Sequence, residues 1–159
     1  MPIAVCPGTY DPITLGHLDI IERATYIYDR VIVGVAANPY KEALFSLEER
    51  LELIEGALKG LDKVAVHAFE SLLVDFAREH GAGVIIKGLR AISDFEHEFQ
   101  MAHLNKKLDS ALETVFMMAS PEFMFLSSSA VKEIATYGGR VGEFVPPNVE
   151  ANLKTKFGY

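Results

Sequence analysis

The sequence predicts an α/β fold: a doubly wound five-stranded parallel sheet with helices on both faces. Short apolar runs recur along the chain, and longer segments with helical spacing lie between them. No internal repeat, low-complexity stretch or Pro/Gly/Ser linker interrupts this alternation. The 159 residues are expected to form one domain over positions 1–159, since single domains run roughly 100–200 residues.

The expected strands are residues 3–6, 31–36, 64–68, 84–86 and 114–118. Each is rich in Val, Ile or Phe and short enough to be buried on both faces. In the first helical segment Leu18, Ile21, Ala24, Ile27 and Tyr28 form one stripe, with Asp19, Glu22 and Arg23 opposite. The second opens at Ser46-Leu47-Glu48-Glu49, a capping box, and carries Leu47, Leu51, Ile54 and Leu58 along its apolar stripe. Further helices are expected over 72–80, ended by Gly81, over 94–108, over 128–137, stopped by Gly138-Gly139, and over 148–157. Strand–helix alternation of this kind implies right-handed crossovers, and ligands in such sheets bind beyond the C-terminal strand ends.

Composition narrows the partners. The chain carries a net charge of −7 and no evident basic face, so no nucleic-acid partner is expected. No apolar run is long enough to span a bilayer, the N-terminus lacks the charged start of a signal peptide, and no membrane association is expected. The single cysteine, Cys6, cannot form an internal disulfide; this agrees with a cytoplasmic location. It falls at the end of a buried strand, where a thiol is a packing group. No Cys/His spacing for a metal site is present, and no protein metal ligand is expected.

The loops after the strands carry the candidate chemistry. After the first come Gly8, suited to a tight turn, Thr9, whose hydroxyl lies near the strand end, and then Thr14-Leu15-Gly16-His17. Thr14 is a suitable N-cap, which places His17 in a first helical turn. Free N–H groups and the helix dipole favour phosphate there and keep an imidazole neutral. After the second strand stands Lys41, and after the fourth come Lys87-Gly88-Leu89-Arg90 and Glu98. Two cations flanking a glycine suit a phosphate chain. After the fifth come Phe123, Met124, Phe125, Leu126 and Ser127-Ser128-Ser129, with more hydroxyls than one cap needs. Each motif alone also reads as an ordinary cap or solvated loop; their shared sheet edge favours a nucleotide site.

Thr14-Leu15-Gly16-His17 and Leu126-Ser127-Ser128-Ser129 resemble the two signatures of the nucleotidyltransferase superfamily. Pro7-Gly8-Thr9-Tyr10-Asp11-Pro12-Ile13-Thr14, Phe45-Ser46-Leu47-Glu48-Glu49-Arg50, Lys87-Gly88-Leu89-Arg90-Ala91 and residues 127–133 extend the likeness along essentially the whole chain, to the phosphopantetheine adenylyltransferase family. Lys87 stands where arginine is frequent, His97 replaces an aromatic residue, Phe123 a Trp or Tyr, and Met124 a serine. The resemblance implies a Rossmann-like nucleotidyltransferase fold and transfer of AMP from ATP to 4'-phosphopantetheine, giving dephospho-coenzyme A and pyrophosphate, with Mg2+. It implies catalytic roles for His17, Thr9 and Lys41, with Thr9, Lys41, Leu73 and Lys87 binding the acceptor. Met101, Leu104 and Asn105 would join Leu73 along the pantetheine arm. ATP would meet Thr9, Tyr10, His17, Gly88, Leu89, Arg90 and Glu98, together with Phe123, Met124, Phe125, Leu126, Ser127, Ser128 and Ser129. A homohexamer and feedback inhibition by coenzyme A are likewise implied. A sister enzyme using nicotinamide mononucleotide or glycerol phosphate, and a non-catalytic nucleotide-binding regulator, are the alternatives.

Overall fold

The structure, a computed structural model, describes residues 2–38 and 42–159, with Ile92 and Ser93 described by their backbone alone. Strands β1 (Ile3–Gly8), β2 (Arg30–Ala36), β3 (Val64–Phe69), β4 (Val84–Leu89) and β5 (Glu113–Met118) alternate with helices α1 (Leu15–Ile27), α2 (Leu47–Ala57), α3 (Leu73–Glu79) and α4 (Ile92–Leu108). A short 3-10 turn (Pro121–Phe123) then leads to α5 (Ser128–Thr136) and α6 (Pro147–Phe157). The sheet is parallel, in the order β3-β2-β1-β4-β5. The expected doubly wound sheet is thus the one observed, with the winding direction reversing beside β1.

Caps fix the helix starts. Ser46 and Glu49 form the expected reciprocal box at α2, an arrangement that contributes about 1 kcal/mol. Thr14 caps α1, and His17 at its third position completes a second box. Gly81 and Gly138, in the left-handed region at φ 66° and 73°, end α3 and α5.

Two cores flank the sheet. The larger packs Ile21, Ala24, Val33, Phe45, Ile54 and Val131 with α6 through Val149 and Leu153; the smaller packs Val5, Ile32, Val74, Phe76 and Ile85. Ile27 departs from expectation. It lies roughly 240° round the helix from Ile21, off the buried face, and is 61% exposed. Strand lengths also differ: Gly8 belongs to β1, and Lys87-Gly88-Leu89 lie inside β4, because pairing with β5 runs on to Leu89↔Met118.

Pairing along β1 is asymmetric. With β2 it runs from Ile3↔Arg30 to Gly8↔Val35, whereas with β4 the register holds only Ala4↔Val84 and Val5↔Ile85. Beyond Val5 the two strands part, and the N-terminal half of α1 fills the opening. A Cβ placed on Gly88 would stand 3.0 Å from Ile20 Cγ1, so the helix approaches β4 as closely as a glycine permits.

Gly34 is as tightly enclosed on the opposite face. A Cβ there would stand 2.8 Å from Phe76 Cε1 and 3.2 Å from Phe69 Cε1, in rings stacked with centroids 4.5 Å apart. Gly34→Ala is therefore expected to lower unfolding free energy by about 1–3 kcal/mol through overpacking. Urea denaturation checks this, and an unchanged midpoint and slope would contradict the packing described.

Candidate active site

The parting of β1 and β4 opens a cleft of about 540 Å³ at the C-terminal edge of the sheet, within the range of small-molecule sites. Its lining brings together Thr9, Tyr10 and His17 from the first loop and helix with Lys87, Gly88, Arg90 and Glu98 from the β4–α4 region. Phe123, Leu126 and Ser127-Ser128-Ser129 close the third side. These are most of the expected site residues, collected from distant parts of the chain.

Some expected residues lie elsewhere. Lys41 falls outside the described residues. Leu89 ends β4 without lining the cleft, and neither Met124 nor the 93% exposed Phe125 lines it. Leu73, at the start of α3, packs against the smaller core. Met101 and Leu104 are exposed on α4, and Asn105 is buried there; none of the three lines the cleft.

His17 has a defined orientation. The Thr14 N–H donates to its Nδ1 at 3.0 Å, and the His17 N–H donates to Thr14 Oγ1 at 3.3 Å. An Nδ1 that accepts holds no proton, so the neutral ring carries its hydrogen on Nε2. Burial, and then the charge of Arg90, push the imidazole down to about 4. His17 is therefore an uncharged Nε2–H donor at neutral pH. Its ring meets the edge of Tyr10 at a centroid distance of 4.9 Å.

Tyr10 holds the first loop in an unusual shape. Its φ of 51° lies in the left-handed region, which costs a residue with a Cβ roughly 1–2 kcal/mol. Burial of its ring and a 2.8 Å hydrogen bond from its hydroxyl to the Cys6 carbonyl offset that cost. Gly8 serves this packing, since a Cβ on it would stand 3.0 Å from Tyr10 Cε2. Burial also pushes the Cys6 thiol up to about 12, consistent with its packing role.

Charges are paired along the β4–α4 side of the cleft. Lys87 Nζ lies 3.3 Å from Glu98 Oε2. Arg90 pairs with Asp94 at 3.0 Å and donates to the Leu126 carbonyl at 3.0 Å, joining the β4 end to the serine loop. Ser127 caps α5 by accepting from Ala130 N at 3.0 Å. Ser128 donates to the Pro12 carbonyl at 2.7 Å. Of the serine run, Ser127 and Ser128 thus hold the scaffold together while lining the cleft.

Three further residues were not singled out from the sequence. Asp11, 4% exposed, accepts from Leu44 N and Phe45 N at 2.9 Å each, and from Lys132 Nζ at 3.0 Å. Burial pushes its carboxyl up, but those N–H groups and the Lys132 ammonium outweigh it and hold the group below its ordinary value. Lys132 lines the cleft one helical turn after Ser128, an i, i+4 relation that was available as a signal. Arg50, 5% exposed, donates to the carbonyls of Thr9 and Ala36. Its position among Leu47, Leu51 and Ile54, on the apolar stripe of α2, was the signal there.

Residues 5–134 match the cytidylyltransferase-like family. The chain is 56% identical over 159 residues to a phosphopantetheine adenylyltransferase from Moorella thermoacetica, covering 100% of this chain and 99% of that protein. It is 52% identical over 158 residues to one from Clostridium novyi, covering 99% and 98%. Among solved structures, a bifunctional NMN adenylyltransferase/ADP ribose pyrophosphatase from Francisella tularensis superposes with a TM-score of 0.74 at 16% identity, over 99% of this chain and 50% of that one. At that identity the likeness concerns the fold.

The lowered His17 value has a sign that can be tested. Stability from the neutral ring is complete above the ordinary value near 6.5 and is lost as pH falls toward about 4. Nitrogen-15 imidazole spectra are expected to show a neutral Nε2–H ring from pH 8 down to about pH 5. Protonation with a midpoint near 6.5 would refute the uncharged donor.

Proposed function

The chain belongs to the cytidylyltransferase-like family, among its phosphopantetheine adenylyltransferases, and from that membership we propose that it transfers AMP from ATP to 4'-phosphopantetheine. The products are dephospho-coenzyme A and pyrophosphate, and the pathway is coenzyme A synthesis in the cytoplasm. The observation that carries this reading is the meeting of Thr9, His17, Lys87, Arg90 and the serine run in one cleft. The whole chain, residues 1–159, acts as one nucleotidyltransferase domain.

The acceptor phosphate is anionic at neutral pH, so its oxygen attacks the α-phosphorus without a general base. A bond forms between that oxygen and phosphorus, the α–β bridge breaks, and pyrophosphate departs with the electron pair. Catalysis is then positioning and charge stabilisation. The His17 Nε2–H and the Thr9 hydroxyl donate where negative charge grows on the α-phosphate. A neutral imidazole suits this donor role, because the ring keeps its proton throughout.

Lys41 and Lys87 hold the acceptor phosphate, and Leu73, beyond the end of β3 at the same sheet edge, serves the pantetheine arm with Met101, Leu104 and Asn105. Tyr10, Gly88, Leu89, Glu98 and the segment from Phe123 to Leu126 border the nucleotide. Arg90 and the start of α5 at Ser127, Ser128 and Ser129 face the leaving pyrophosphate. Ser128 contributes its N–H there, since its hydroxyl proton is engaged with Pro12.

Among the described residues no three His, Cys, Asp or Glu side chains converge into a metal cage. A Mg2+ carried on the phosphates of ATP would supply charge neutralisation on the departing pyrophosphate, beside Arg90 and the start of α5. Among the described residues no helix is long and apolar enough to cross a membrane.

Helix α4 leaves Met101, Leu104 and Leu108, one stripe by helical spacing, exposed at 37%, 47% and 58%. This apolar face supports self-association, for which a homohexamer is the proposed form. Coenzyme A, which carries the product's adenylate and pantetheine portions, is the proposed feedback inhibitor.

Pyrophosphate release with ATP and Mg2+ tests the reaction. Release is expected with 4'-phosphopantetheine, matched by dephospho-coenzyme A on mass spectrometry, and not with nicotinamide mononucleotide, glycerol phosphate or no acceptor. Turnover with another acceptor alone would move the enzyme to a sister reaction, and ATP binding without turnover would favour a regulator. His17→Ala is expected to lower kcat about 10²–10³-fold with a much smaller change in ATP binding. Unchanged turnover would remove the role given to His17.

A further inference from the structure

We infer that Arg50 is a positioning residue for the transfer step, its buried guanidinium setting the gap between the loop that carries Thr9 and the chain leaving β2. This rests on the adenylyl-transfer reading above. Three observations carry it.

The first is where Arg50 acts. The last registered pair between β1 and β2 is Gly8↔Val35, and Thr9 and Ala36 are the next residues on each side. Arg50 Nη1 donates to the Thr9 carbonyl at 2.8 Å and to the Ala36 carbonyl at 3.0 Å. One nitrogen thus replaces the ladder where it stops, and holds two segments that no longer pair with each other. One carries the Thr9 hydroxyl into the cleft; the other runs on toward Lys41.

The second is the cost of the arrangement. Arg50 is 5% exposed, and among the described residues no carboxylate lies within ion-pair distance of its guanidinium. Its Nε is buried with no hydrogen-bond partner among the described residues. A buried cation without a counter-ion is expensive for a strut that a neutral donor could supply. An anion beside Thr9 lowers that expense, and the phosphates of the proposed substrates are such an anion. Arg50 itself does not line the cleft, so it acts through Thr9 and through the field it projects there.

The third is the division of labour across the cleft. Arg90 and the serine loop are joined to each other on the β4–α5 side, and α5 reaches the first loop beyond Thr9, at Asp11 and Pro12. Loss of Arg50 should therefore disturb the Thr9 side and spare nucleotide binding on the other.

Arg50→Met keeps the apolar stem and removes both the charge and the two hydrogen bonds. Arg50→Lys keeps the charge, but its ammonium ends one bond short of Nη1. Each is measured beside the unaltered protein, at a temperature where circular dichroism shows it folded, for kcat, for KM of both substrates and for ATP affinity by calorimetry. Misplacement of the reacting groups is expected to lower kcat by roughly 10²-fold in Arg50→Met and to raise the acceptor KM. ATP affinity is expected to stay within about threefold, and Arg50→Lys to fall between the two. A folded Arg50→Met with full kcat and an unchanged acceptor KM would make Arg50 a strut alone. If that variant does not fold, a folded Arg50→Lys with full kcat and acceptor KM overturns the inference in the same way. Absence of turnover in the unaltered protein would instead sink the adenylyl-transfer reading, and the inference with it.

Discussion

The early end of the β1–β4 pairing governs this molecule. Two registered pairs join the strands, after which they part, β1 staying paired with β2 and β4 with β5 toward the C-terminal edge. The winding direction reverses there, so no crossover helix covers the gap from above, and the start of α1 packs into it instead. The wedge is tight, because Gly88 leaves no room for a Cβ beside Ile20. A cleft results whose floor is strand backbone, with one wall a helix N-terminus and the other the cationic end of β4.

Beyond the last registered pairs, the loops that border the cleft must be held by something other than the ladder. Buried charges do this. Asp11 gathers the backbone before α2 and the ammonium of Lys132, and Arg50 gathers the ends of β1 and β2. Breaking a buried ion pair such as Asp11–Lys132 typically costs about 3–5 kcal/mol, so the geometry of the site and the stability of the fold are supported by the same groups. The strained Tyr10 fits that pattern, since a residue at φ 51° persists where its surroundings over-determine it.

The chemistry follows from the resulting polarity. Thr14 fixes the tautomer of His17, and burial together with Arg90 keeps the ring uncharged. Across the cleft, Lys87 is matched by Glu98, and Arg90 by Asp94. The cations are thus held in place before any phosphate arrives, which lowers the ordering cost of binding an anionic substrate.

Periodicity and capping signals determined the fold class, the five strands, the caps at Thr14 and Ser46, and the candidate residues of the site, because these depend on local backbone preference and on the spacing of apolar side chains. The superfamily signatures supplied the nucleotidyltransferase identity. Tertiary structure decided which residues meet. Lys87-Gly88-Leu89 became part of a strand through pairing with β5, Ile27 fell outside the buried face, and Met124 and Phe125 lay outside the cleft lining. Asp11 and Arg50 were legible as charged residues but not as struts, because their partners are backbone groups from separate segments. Such contacts depend on how strands and helices pack across the chain, which local sequence does not encode.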